Sequence, residues 1–160
     1  MAFKLPKDTR KYFDLIDRRT DGGVKFKTLF DKYYLCLMAG LYKGNIGVVE
    51  KIEKDRFIEY YPDLYEGVNE LIMGLLIDAE MERRDIQRQD KRRIENLMLE
   101  IIDHNSVTKL SETGMELLNR YAVSGMELIR DNIPKTSELE TFLIHYYNLL
   151  KPEEDILILQ

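Results

Sequence analysis

"FKTLFDKYYLCLMAGLYKGNIG", residues 26–47, decides the fold class. Phe26, Leu29, Phe30, Tyr33, Tyr34, Leu37, Met38 and Leu41 recur at three- and four-residue steps, the spacing that gathers side chains on one face of an α-helix. From Leu35 to Leu41 the stretch is apolar nearly all round, and a helix of that kind belongs at the centre of a domain. Gly44 to Gly47 end it.

Helical periodicity continues on both sides. Upstream, Tyr12, Phe13, Leu15 and Ile16 predict one short helix, broken by the turn-forming pair Gly22-Gly23. Downstream, residues 48–61 read as a connector with one turn of helix. Pro62 then suits the opening of a helix, because its missing N–H is harmless in a first turn. That helix places Leu64, Val68, Leu71, Ile72, Leu75 and Leu76 on one side, and "KRRIENLMLEIIDH" repeats the pattern with Ile94, Leu97, Met98, Ile101 and Ile102. Ser111 or Thr113 is a plausible N-cap for the next, which carries Leu117, Leu118, Tyr121, Met126, Leu128 and Ile129. Within it G-M-E-L occurs twice, eleven residues apart, close to three helical turns. Pro134 closes that helix, Ser137 is placed to cap a last one over "ELETFLIHYYNLL", and "ILILQ" reads as a short strand or an irregular tail. The expectation is an all-α, single-domain bundle of five to six helices over residues 1–160, with a helix and turn in 1–24 and a loose tail from 150.

Composition agrees: 160 residues suffice for one buried core, and 44% apolar with 33% charged residues is a globular balance. The single cysteine, Cys36, allows no intrachain disulfide and suits a reducing compartment. The start has no secretory h-region, and no apolar run approaches the roughly 20 residues that cross a bilayer. A cytoplasmic protein without membrane contact is expected.

The chemistry of common active sites is missing from the sequence. Asp78 and Glu82, and Glu100 and His104, stand at i, i+4, but carboxylate-bridged metal pairs need Glu-x-x-His motifs on two helices. His145 has no carboxylate three residues before it. Cys36 lies among Leu35, Leu37 and Met38, surroundings that disfavour a thiolate. There is no nucleophile elbow, no phosphate loop and no dinucleotide fingerprint. No catalysis, metal or cofactor is expected. The adjacent tyrosines 33/34, 60/61 and 146/147 suit one member in the core and one at its margin, about 100° apart on a helix.

Charge is distributed in blocks. Residues 1–54 carry +5, 55–82 carry −7, 83–93 carry +4 and 94–160 carry −7, which sum to the net −5. Such segregation makes separate basic and acidic surfaces and allows one copy's basic face to meet another's acidic one. The basic block holds Arg83, Arg84, Arg88, Lys91, Arg92 and Arg93, the candidate site for a nucleic acid or a partner. As a continuous helix it would align Arg84, Arg88 and Lys91 or Arg92 for phosphates, with Lys4, Lys7, Arg10 and Lys11 able to enlarge the patch. Glu80, Glu82, Asp85 and Asp90 are placed to neutralise it instead, leaving a solvated junction between helices.

"FKTLFDKYYLCLMAGL" followed by "LLNRYAVSGMELIRD" resembles the small helical accessory proteins of bacterial DNA-phosphorothioation (Dnd-type) systems. Phe26, Thr28, Asp31, Gly40, Tyr121, Ala122, Gly125, Glu127 and Leu128 carry the likeness, which spans about residues 24–132. Residues 83–93 and 137–160 have no counterpart in it, and it transfers no catalytic motif. It implies a context: a non-catalytic subunit of a defence or DNA-modification assembly that contacts a larger protein of the same system, with DNA backbone contact as a secondary role. The alternative is a stand-alone DNA-binding regulator built on the basic stretch.

Overall fold

The computed structural model describes residues 2–152. Its helices are α1 (Thr9–Tyr12), α2 (Asp14–Asp17), α3 (Leu29–Lys43), α4 (Asn69–Arg83), α5 (Lys91–Ile101), α6 (Glu112–Asn132) and α7 (Leu139–Leu150). No strand occurs among the described residues, and α3 against α6 forms the centre of an all-α bundle.

The central helix starts and stops for local reasons. Thr28 caps it reciprocally: the Asp31 N–H donates to the Thr28 hydroxyl and the Thr28 N–H to the Asp31 carboxylate. Gly44, at φ 76°, turns the chain left-handed at its end. Gly40 and Gly125 let α3 and α6 touch backbone to backbone, since a Cβ on Gly40 would lie 1.8 Å from the Tyr121 carbonyl oxygen. The glycine of the first G-M-E-L copy serves another neighbour: a Cβ on Gly114 would meet the Ile101 carbonyl at the end of α5. Ser111 caps α6 as expected, accepting from the Gly114 N–H at 3.0 Å.

Three expectations are corrected. The single N-terminal helix is two turns broken at Phe13, whose ring is fully buried edge-on to Tyr12, Phe26 and Phe142. Pro62 opens a 3-10 segment, Asp63–Val68, before α4 begins. Ile72 and Leu76 are buried as expected, but Leu64, within the 3-10 segment, is 82% exposed, and Leu71, at the margin of the α4 stripe, is 53% exposed. Ser137 does not cap α7; Glu138 takes that position, its N–H donating to the Thr136 hydroxyl. The connector contains its turn, Val49–Lys51, but also pairs with an extended N-terminal arm through bridges Phe3–Ile58 and Pro6–Ile52. The "ILILQ" tail lies outside the described residues.

That arm is part of the core: Phe3 and Leu5 are buried. One edge pairs with the connector, and Asn119 of α6 holds the other. Its amide donates to the Ala2 carbonyl at 3.1 Å and accepts from the Lys4 N–H at 3.2 Å and the Tyr33 hydroxyl at 2.8 Å. Removing the amide strands three buried or half-buried polar groups. Asn119→Ala is therefore expected to lose about 2–3 kcal/mol in urea unfolding, against about 1 kcal/mol for the capping variant Ser111→Ala.

Candidate interaction surface

The basic stretch does not continue as helix. α4 ends at Arg83, Asp85 adopts a left-handed φ of 53°, and α5 starts at Lys91 under an Asp90 cap that accepts from the Arg93 N–H. Ile86 is buried beneath the turn. The continuous row of Arg84, Arg88 and Lys91 or Arg92 is therefore not formed, because the left-handed residue reverses the chain between them.

The six cations instead divide into two groups. Arg83 forms a bidentate pair with Glu80 at 2.6 and 3.0 Å, and Glu80 is fully buried. Arg84 reaches the same carboxylate at 3.6 Å and grips Glu100 of α5 with two bonds of 2.8 and 2.9 Å. Arg93 returns from α5 to donate to the carbonyls of Arg84 and Asp85, two acceptors left open where α4 ends. Arg83, Arg84 and Arg93 thus brace the α4–α5 junction. Arg88, Lys91 and Arg92 are exposed, and no ion pair among the described residues engages them.

Electrostatics follow this division. The guanidinium of Arg84 holds the Glu100 carboxyl below the usual carboxylate range. Tyr121 is pushed up to about 12, chiefly by burial and then by the charge of Glu80. Its hydroxyl is buried beside the Glu80–Arg83 pair without a hydrogen bond of its own. Lys91, Arg92 and Arg93 occupy the first turn of α5, which carries no acid, so they oppose the helix dipole there.

Glu80 was legible as a neutraliser from its three- and four-residue spacing to Arg83 and Arg84; Glu100, sixteen residues from Arg84, was not. The N-terminal cations do not join the patch as a set. Arg10 is paired with Glu53 at 2.9 Å, while Lys4 and Lys7 line a groove of about 590 Å³ with Glu50, Glu112 and Glu116. A second concavity, about 470 Å³ beside Arg83, mixes Lys43 with Glu127 and Asp131. Both acids there are already matched, Glu127 by Lys51 at 2.7 Å and Asp131 by Arg130 at 3.3 Å.

Elsewhere the chemistry is structural. Burial pushes the Cys36 thiol up to about 12, so it is protonated at neutral pH, and its neighbour is the Met126 sulfur at 3.6 Å. Among the described residues no group of three His, Cys, Asp or Glu side chains is arranged to hold a metal ion. In the same residues no helix is long and apolar enough to cross a membrane. The helical tyrosine pairs are split as their spacing implies, Tyr33 buried and Tyr147 69% exposed; Tyr60, 58% exposed, and Tyr61, buried, are split too but lie outside any helix.

Several helices carry apolar side chains that no described residue covers. Besides Leu64 and Leu71, α5 exposes Leu99 at 79%, and α7 exposes Leu143, Ile144 and Tyr147 opposite its core residues Leu139 and Phe142. No protein-family model, curated protein or solved structure matches the chain.

Proposed function

We propose that the chain is a non-catalytic helical subunit that works by contacting a larger protein, in the setting of a bacterial defence or DNA-modification assembly. The observation that carries the reading is α7. It is apolar on both sides, with Leu139 and Phe142 in the core and Ile144 and Tyr147 in water. Widely exposed apolar side chains beside a buried apolar side are suited to an interface. The setting rests on the resemblance described above. Its residues sit at the α3–α6 crossing and its cap: Thr28 and Asp31 form the capping box, and Gly40 and Gly125 the closest approach.

DNA backbone contact is the secondary role, and it falls to Arg88, Lys91 and Arg92, the cations outside the brace. The regulator alternative draws support from the same three residues. Phosphate neutralisation releases counterions, so DNA binding by them would weaken steeply with salt.

Co-purification from the source cells tests the main reading. A tagged chain is expected to retain one stoichiometric larger protein, which Ile144→Asp releases without altering the chain's own unfolding. Recovery of the chain free of any larger protein, together with salt-sensitive DNA binding, would replace the subunit reading with the regulator.

A further inference from the structure

The concavity beside Arg83 has two sides of opposite charge. One is α6, which presents Ser124, Glu127 and Asp131 at three- and four-residue steps along one face. The other is the end of α3 and the loop after it, with Lys43 and Asn45, joined by Arg83 from the end of α4. About 470 Å³ lies between them, within the roughly 300–1,000 Å³ of small-molecule sites. Among the described residues no ion pair crosses that space, although cations line one side and acids the other.

The pairs these groups make elsewhere leave each of them a polar atom to offer. Lys43 is exposed and in no ion pair among the described residues. Arg83 binds Glu80 through Nε and Nη2, which leaves Nη1 without a bond to a described residue. Glu127 meets Lys51 through Oε1 alone. Asp131 meets Arg130 through Oδ1, and that guanidinium is divided with Asp8, which it bonds at 2.6 Å. Ser124 is only 8% exposed, lines this cleft, and its hydroxyl makes no hydrogen bond with a described residue. A nearly buried hydroxyl of that kind takes its partner from whatever enters the cleft.

We propose that this cleft binds a small zwitterion, a free α-amino acid, with its carboxylate toward Lys43 and Arg83 and its ammonium toward Glu127 and Asp131. The Ser124 hydroxyl donates to the carboxylate. The opposed sides select the class of ligand. A phosphate ester would bring its negative charges against the two acids, and a polyamine would bring its positive ones against the two cations. A molecule with one charge of each sign opposes neither side. An apolar ligand would strip water from these groups and give no hydrogen bond in return. Lys43 is exposed, so water screens its contact and the affinity is modest. This inference goes beyond the subunit reading above and does not rest on it.

Titration of the isotope-labelled full chain with glycine and with L-serine, followed by amide NMR, tests it, with acetate and methylammonium as one-headed controls. Both amino acids are expected to move the Asn45 and Ser124 amide signals saturably, and to bind at least about tenfold more tightly than either control. Lys43→Glu and Glu127→Lys are each expected to weaken glycine binding about tenfold, and Ser124→Ala about fivefold. Lys25→Glu, which reverses an exposed cation outside the cleft, is expected to leave binding unchanged. The absence of a saturable shift with either amino acid would overturn the inference. So would acetate or methylammonium binding as tightly as glycine, or a loss in Lys43→Glu no larger than in Lys25→Glu.

Discussion

Gly125→Ala is expected to destabilise the fold by about 3 kcal/mol, although alanine is the better helix former. In an unhindered helix interior the same change gains about 1 kcal/mol, because glycine loses more backbone freedom on folding. At this position the added Cβ would fall 1.6 Å from the Cys36 carbonyl oxygen and 2.7 Å from the Gly40 nitrogen. Both obstacles are main chain, held in the hydrogen-bonded ladder of α3, so no side chain can swing aside. The helices must separate, and the loss spreads to Cys36, Tyr121, Ala122 and Met126, all buried around the crossing. Gly74 is the control: it lies inside α4 with nothing within 4 Å of its added Cβ. Gly74→Ala is therefore expected to stabilise by about 0.5–1 kcal/mol. Urea unfolding of the two variants beside the parent checks the opposed signs.

Glu80→Ala has the second large expected effect, a loss of about 3 kcal/mol. Glu80 is fully buried, and two arginines turn toward it, Arg83 at 2.6 Å and Arg84 at 3.6 Å. Truncation leaves their charge uncompensated at the α4–α5 junction and opens a void next to the Tyr121 hydroxyl. Both guanidiniums are about one-third exposed and Arg84 keeps Glu100, so water and the second carboxylate recover part of the loss. That places the effect at the low end for a broken buried pair. Glu80→Gln keeps the shape and one acceptor, and is expected to lose about half as much. Equal losses for the two variants would mean that the charge alone holds the junction, and an unchanged Glu80→Gln would mean that it has no part.

The fold was legible where local signals and the core agreed. The 3.6-residue pattern of Leu29 to Leu41, the cap at Ser111 and the stop at Gly44 need nothing beyond neighbouring residues, and each appears as read. What escaped depends on distant partners. Phe3 and Leu5 form no periodic run, and their place in the core follows from pairing with residues 51–58 and from Asn119, more than a hundred positions away. Leu64 escaped because Asp63–Val68 winds as a 3-10 helix, which turns its side chain off the stripe that α4 continues with Ile72 and Leu76.

The candidate site was half legible for the same reason. Composition marks six cations together but cannot say which are occupied. Glu80 stands within one helical turn of Arg83 and Arg84, so its pairing is local. Glu100 and the carbonyls of Arg84 and Asp85 reach the arginines only once Asp85 reverses the chain and α5 folds back on α4. The apolar stripe of α7 was visible as hydrophobicity, but its division into a buried and a bare side required Phe13, Phe26 and Phe142 to stack beneath it.

The division of the basic stretch into a brace and a free trio is the claim on which the interaction surface rests. Thermal and urea unfolding of two triple variants, Arg83/Arg84/Arg93→Gln and Arg88/Lys91/Arg92→Gln, tests it most directly. The first is expected to lose about 3 kcal/mol or more, since it empties the pairs with Glu80 and Glu100 and frees the end of α4. The second is expected to stay within about 0.5 kcal/mol of the parent. Equal losses in the two variants, or a larger loss in the second, would contradict the account.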